Sequence, residues 1–170
     1  MKKENIIKKL SMRKHIEGGY FCETHQSEIV VDTTREDNKR PIITSIFYML
    51  TDDRPIGYFH KNQSDIIHYF HAGSALTYLV IEPNGELKKI KLGADILADE
   101  QLQFVVKGGC WKATILEQGE YGLLGEAVAP GFDYKDMEIA TKEHLQSLFP
   151  NLWNELEQFV KPLDLFRDEY

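Results

Sequence analysis

Between Ile42 and Ala127 the chain reads as short runs of β-branched and aromatic residues, each broken by Gly, Asp, Asn or Pro. Ile42 to Leu50, Tyr58 to Asn62, Ile66 to Ala72, Ala75 to Glu82, Glu86 to Leu92, Leu102 to Val106, Trp111 to Leu116 and Tyr121 to Ala127 are the runs. A strand start about every eight to twelve residues excludes βαβ units and predicts an all-β sandwich or barrel. Asp52 to Pro55 predicts a turn, and Pro83-Asn84-Gly85 a hairpin connection. Earlier, Tyr20 to Thr24 and Glu28 to Asp32 read as strands, and Thr33 to Pro41 as a polar loop.

Helical spacing is confined to the ends. Ile6, Ile7 and Leu10 predict a short amphipathic helix over residues 3–12, ended before Gly18-Gly19. After Pro130-Gly131 the period changes again. Lys142 to Leu148, capped by Thr141, and Leu152 to Val160 predict two helices packed on the outside of the barrel. The chain of 170 residues is read as one domain, 1–170, with the barrel over about 16–140 and C-terminal helices over 141–162.

Composition excludes several partners. The net charge is −7 and no basic stripe is present, so nucleic acid is not expected. Lys88-Lys89-Ile90-Lys91 reads as a solvated hairpin edge, where lysines oppose strand-to-strand association. No run is long enough to span a membrane, and the N-terminus lacks the apolar segment of a signal peptide. Two cysteines, Cys22 and Cys110, make no disulfide framework. These features predict a cytoplasmic protein with reduced thiols. Cys110, without a basic partner in the sequence, reads as inert.

Strand alternation assigns faces. With position 66 inward, His68 and Phe70 point inward, and Ile67, Tyr69 and His71 outward. Tyr58, His60 and Asn62 share one inward face by the same rule. A barrel lined by two histidines, an asparagine and aromatics predicts a polar, ligand-sized cavity.

Four motifs in order resemble a known family. They are Glu17-Gly18-Gly19-Tyr20-Phe21 with Glu23-Thr24; Phe59-His60, Ser64-Asp65, His68 and Ala72-Gly73; Leu92-Gly93 with Gly108-Gly109-Cys110-Trp111; and Ala129-Pro130-Gly131-Phe132-Asp133-Tyr134. Together, over about Ile16 to Pro150, they resemble cupin family five, an uncharacterised subgroup of RmlC-like cupins. The resemblance implies a double-stranded β-helix, the jelly-roll barrel of germins, seed storage proteins and the dTDP-4-dehydrorhamnose epimerase. It also implies a homodimer.

Many cupins hold a divalent metal with two His, a Glu and a later His. Spacing from Gly73 and Gly109 places those positions on His60, Asn62, Ile66 and Lys112. Isoleucine has no donor atom and a lysine ammonium repels a cation, so no cofactor is expected; His60 is the one ligand if a metal is present. The subgroup often carries Glu and Trp where this chain has Ile66 and Ile67, and Pro where it has Lys107.

The candidate catalytic residues are His68, His60 and Asp65. His68 and His60 can each move a proton at neutral pH, or sit as satisfied buried histidines. Asp65 can orient a histidine, or with Ser64 shape the turn into its strand. Candidate ligand-binding residues are Tyr58, Asn62, Ser64, Phe70, Trp111, Lys112, Phe132, Asp133 and Glu23. Trp111 serves as a stacking wall or as core; Phe132 and Asp133 close one end of the pocket or form a corner. Glu23 reaches the barrel mouth or makes a surface salt bridge.

Three functions are consistent with these residues. The first is a small-molecule-binding cupin that acts without metal as an epimerase- or isomerase-like enzyme on a sugar or nucleotide-sugar. His68 is then the base, with His60 or a tyrosine as acid. The second is a non-catalytic ligand-binding or sensing cupin, and the third a metal-dependent cupin enzyme. Fold analogy alone does not choose among them.

Overall fold

The computed structural model describes residues 2–163; the remaining ends of the expected 1–170 domain lie outside the described residues. Among the described residues, helix α1 (Lys3–Lys9) precedes thirteen strands. These begin with β1 (Arg13–Lys14), β2 (Tyr20–Gln26), β3 (Val30–Asp32), β4 (Lys39–Pro41) and β5 (Thr44–Thr51). Next come β6 (Ile56–Asn62), β7 (Asp65–Gly73), β8 (Leu76–Ile81) and β9 (Leu87–Leu92). The last are β10 (Gln103–Val106), β11 (Trp111–Ile115), β12 (Tyr121–Ala129) and β13 (Met137–Ile139). Helices α2 (Lys142–Leu148) and α3 (Trp153–Leu156) follow.

The strands form a six-stranded sheet, β1-β2-β5-β12-β7-β10, facing a five-stranded sheet, β13-β6-β11-β8-β9. Sequence neighbours β5 and β6 lie in different sheets, as do β7 and β8, so the chain alternates between layers as a jelly roll does. Strands β3 and β4 pair only with each other, as an arm.

Alternation separates three apolar clusters. Between the sheets, Tyr48, Leu50, Leu76, Tyr78, Val80, Phe104 and Leu124 pack into an inner core. The opposite parity of the five-stranded sheet, Phe59, Leu79, Ile81, Trp111 and Ala113, packs outward beneath Leu145 of α2 and Leu156 of α3. The outer face of the six-stranded sheet buries Met49 against Ile6 of α1 and Met12. No helix among the described residues is long and apolar enough to cross a membrane.

Four local expectations need correction. Helix α1 stops at Lys9 because Ser11 takes a left-handed φ of 52°, and Arg13–Lys14 becomes an unforeseen edge strand. Lys39–Pro41, read as loop, is a strand because Val30–Asp32 supplies its partner. The helix expected over Leu152 to Val160 is one α-turn followed by a 3₁₀ turn at Glu157–Phe159; neither has a side-chain N-cap. Thr141 caps α2 by accepting a bond from the His144 amide.

Candidate functional site

The inner core fills one end of the barrel, and the other end holds a cavity of about 300 Å³. Ile46 of β5, Ile66 of β7 and Glu126 and Val128 of β12 form one wall. His60 and Asn62 of β6 and Lys112 of β11 form the opposite wall. The mouth is edged by Phe21 and Glu23 of β2, and by Phe132, Asp133 and Tyr134 from the loop after β12.

The segment before β2 brings Glu17 into this cavity. Gly18 has φ of +105°, and a Cβ there would lie 2.1 Å from the Ile56 carbonyl oxygen, so only glycine permits the close approach to β6. The Tyr48 hydroxyl donates to the Gly18 carbonyl at 2.9 Å, and the Tyr58 amide donates to the Glu17 carbonyl at 2.6 Å. The Glu17 side chain thereby reaches His60, with Oε2 3.2 Å from Nε2. His15 lies on the other side of the carboxyl, with Nδ1 3.5 Å from Oε2.

The second ring nitrogen of His60 fixes which of its atoms faces Glu17. His60 Nδ1 lies 2.8 Å from the Tyr58 carbonyl oxygen, which can only accept, so Nδ1 carries a hydrogen. In a neutral ring Nε2 then holds the lone pair, and Glu17 must supply the proton between them. Burial pushes the Glu17 carboxyl up, although His60 and Lys112 oppose it. Burial pulls the His60 imidazole down, against the attraction of Glu17. Both shifts favour a neutral acid facing a neutral imidazole.

A second cluster lies beside the first. The Lys112 ammonium, 3% exposed, donates to His68 Nε2 at 2.8 Å and to Glu126 Oε1 at 3.2 Å. His68 is fully buried, stacks on Phe104 at 4.8 Å and meets Tyr78 edge-on. Burial raises the Glu126 carboxyl, but Lys112 and His68 outweigh it and hold the group well below the usual carboxylate range. Burial first, then Lys112, lowers His68 to about 4.

These shifts set a pH dependence. The His68 pKa falls from 6.5 to about 4 on folding, so across that window the unfolded chain binds more protons and stability is lost as pH falls. His60 and Glu126, both lowered, act in the same direction. Glu17, raised, opposes them: its contribution is complete below 4.5 and is lost as pH rises. The unfolding free energy should drop by roughly 2–3 kcal/mol between pH 7 and pH 4, read by urea denaturation at each pH. A flat profile contradicts the assignment of a buried neutral His68.

Of the residues singled out in the sequence, His60, Asn62, Lys112, Glu23, Phe132 and Asp133 line the cavity. His68 does not; it lies behind Lys112 and Glu126 and braces them. Asp65 is no partner of a histidine: it accepts from Lys107 Nζ and the Gly108 amide. Ser64 is turned from the cavity, donating to the Pro130 carbonyl and accepting from Arg35. Phe70 is inward but packs on the core end of the barrel. Trp111 belongs to the outer cluster, under the Lys61 ammonium. Tyr58 contributes backbone groups, because the β6–β11 register shifts between Lys112 and Thr114 and breaks the alternation there. Sequence reading missed Glu17, although it sits in a quoted motif, and Glu126. The usable signal for Glu126 was one charge inside the otherwise uncharged strand Tyr121–Ala129, two residues from Leu124 and Val128.

The four positions that hold metal in other cupins, His60, Asn62, Ile66 and Lys112, do converge on the cavity. They do not suit a cation. His60 alone offers a ring lone pair, and the Lys112 ammonium occupies the lone pair of His68. No three His, Cys, Asp or Glu side chains among the described residues are grouped to hold a metal ion.

Comparison with known proteins agrees with this barrel. An uncharacterised protein of Saccharomyces cerevisiae is 38% identical over 146 residues, spanning 78% of this chain and 72% of its own. A hypothetical protein from Leishmania major superposes with a TM-score of 0.88 at 31% identity, covering 95% of this chain and all of the other. A Shewanella oneidensis protein gives 0.87 at 32% identity, covering 95% and 99%. Oxalate decarboxylase from Bacillus subtilis, at 14% identity and a TM-score of 0.54, shares the fold over 92% of this chain and 41% of its own. The model of the cupin superfamily (DUF985) matches residues 4–140, and the jelly-roll order of strands accords with it. On that match and those shared barrels, this chain is a member of the DUF985 family of cupins.

Proposed function

We propose that the protein binds a small polar molecule in the barrel cavity and exchanges a proton with it, without a metal, in an epimerase- or isomerase-like reaction. The observation that carries this reading is the 3.2 Å contact between Glu17 and His60 on the cavity wall, with both groups favoured in their neutral forms. An acid and a base in contact at a buried position are poised to pass a proton on near neutral pH. The base role falls to His60 rather than His68, which has no face on the cavity.

In this reaction the substrate carbonyl replaces His60 as the acceptor of the Glu17 O–H, and the freed His60 Nε2 takes the proton from the carbon next to that carbonyl. The C–H electron pair becomes the enol double bond, and the carbonyl oxygen takes the Glu17 proton. His60 then returns its proton to the neighbouring carbon while the enediol O–H on the first carbon passes a proton back to the Glu17 carboxylate, which yields the isomer. Return to the first carbon after the intermediate has turned over yields the epimer, with no net change of oxidation state. The expected result is loss of the C–H proton signal of a bound ketose or α-hydroxy aldehyde in D₂O, followed by NMR. His60→Gln and Glu17→Gln should each slow that exchange by about 10²–10⁴-fold. Tight binding by the wild type with no exchange of any bound carbonyl compound assigns a sensing role and overturns the catalytic one.

A further inference from the structure

We infer that the cavity selects a neutral polyhydroxylated compound of single-ring size and rejects its phosphorylated or nucleotide-linked forms. This deepens the small-ligand reading and rests on it. The argument is a count of hydrogen-bonding capacity left over on the wall.

Lys112 is 2% exposed, and its ammonium carries three N–H donors. His68 Nε2 and Glu126 Oε1 take two of them, and the third has no acceptor among the described residues. Asn62 is 6% exposed; its Oδ1 accepts from the Ser64 amide, while its two amide hydrogens have no acceptor among the described residues. Facing these donors are acceptors with capacity to spare. Glu126 engages Lys112 and His68 through Oε1, leaving Oε2, and Glu17 meets both His60 and His15 through Oε2, leaving Oε1. Buried polar groups are rarely left unsatisfied, so the occupant must supply both acceptors and donors at close range. A hydroxyl group does both. Several hydroxyls on one small frame satisfy Lys112, Asn62, Glu126 and Glu17 together.

A phosphate meets the opposite conditions. It only accepts, so it leaves the acceptors of Glu126 and Glu17 without donors. It also brings charge to a wall that bears Asp133 and has its other cation-facing carboxylates, Glu126 and Glu23, already paired. Lys112, the one lysine on that wall among the described residues, is already neutralised by Glu126. At the mouth, the Arg13 guanidinium is held by Glu23 at 2.8 Å and lies over the Phe21 ring. Size points the same way. About 300 Å³ is the lower end of the range for ligand clefts and matches a single ring.

The test uses matched pairs: D-glucose with glucose 6-phosphate and UDP-glucose, D-fructose with fructose 6-phosphate, and myo-inositol with its monophosphate. Affinities are measured by saturation-transfer NMR on the full chain. At least one neutral member should bind about tenfold or more tightly than its charged partners. Asn62→Ser keeps an oxygen acceptor for the Ser64 amide without adding charge but removes the two amide donors, and should weaken that binding by a similar factor of about ten with the thermal midpoint retained within a few degrees. Equal or tighter binding of a phosphorylated partner overturns the proposal, as does a panel in which no neutral polyol binds. A ligand of any other class whose C–H exchange depends on His60 would still uphold the proton-transfer reading, so the two failures are distinguishable.

Discussion

Replacing Asp136 by alanine is expected to lower the unfolding free energy by about 3 kcal/mol or more, the cost of stranding buried charge. Its carboxylate, 1% exposed, accepts from Arg40 Nε at 2.9 Å and Nη2 at 2.8 Å, and from Arg35 Nη1 at 2.8 Å. Arg40 is itself 1% exposed, so its guanidinium cannot turn to water when the carboxylate is gone. Burial raises the Asp136 carboxyl, but the two arginines more than reverse this and keep it ionised. The arrangement also joins distant parts of the chain: Arg35 and Arg40 lie in or beside the β3–β4 arm, while Asp136 precedes β13. Urea denaturation of the wild type, Asp136→Asn and Asp136→Ala should rank them in that order. A loss below about 1 kcal/mol for alanine would place the pair with exposed ion pairs and refute its role as an anchor.

The second large effect is expected at Lys112. Lys112→Met removes the ammonium between His68 and Glu126 and leaves a carboxylate in the barrel with no cation, at about 3–5 kcal/mol. Glu126→Gln alone should cost less, because the amide oxygen still accepts from Lys112. The double variant, Lys112→Met with Glu126→Gln, should recover most of the loss, since neutral groups of similar shape replace both charges. The decisive quantity is the coupling energy from the four denaturation curves. If the double variant is as unstable as the sum of the singles, the ion pair is not the unit holding this end of the barrel together.

Much of the fold was legible because a half-buried strand writes its inward face at every second residue. That rule assigned Ile66, His68 and Phe70 to the interior together, and the structure does so. The rule says nothing of depth along the barrel axis, so it could not separate the core end, with Phe70, from the cavity end, with Ile66. Trp111 shows a second limit. Next to Lys112 it must take the opposite face, but an aromatic beside a glycine turn looks the same whether its strand covers a ligand or a helix. Asp65 shows a third: the turn role and the histidine-orienting role need the same side chain, and only the position of Gly108 decides between them. Glu17 and Glu126 were hidden because their partners, His60 and Lys112, lie on other strands. Their meaning depends on cross-barrel distances that no local pattern encodes.

Strand β12 runs between β5 and β7 at the middle of the larger sheet. This has a consequence for assembly in time. A chain translated as far as Gln118 already contains His15, Glu17, His60, His68 and Lys112, yet lacks the strand that joins the two halves of that sheet. Until β12 emerges, the lysine has no counter-charge and the sheet has an open seam. The strand that closes the barrel also delivers Glu126, so closure and charge balance arrive together, and no chain that stops short of β12 can hold the finished cavity.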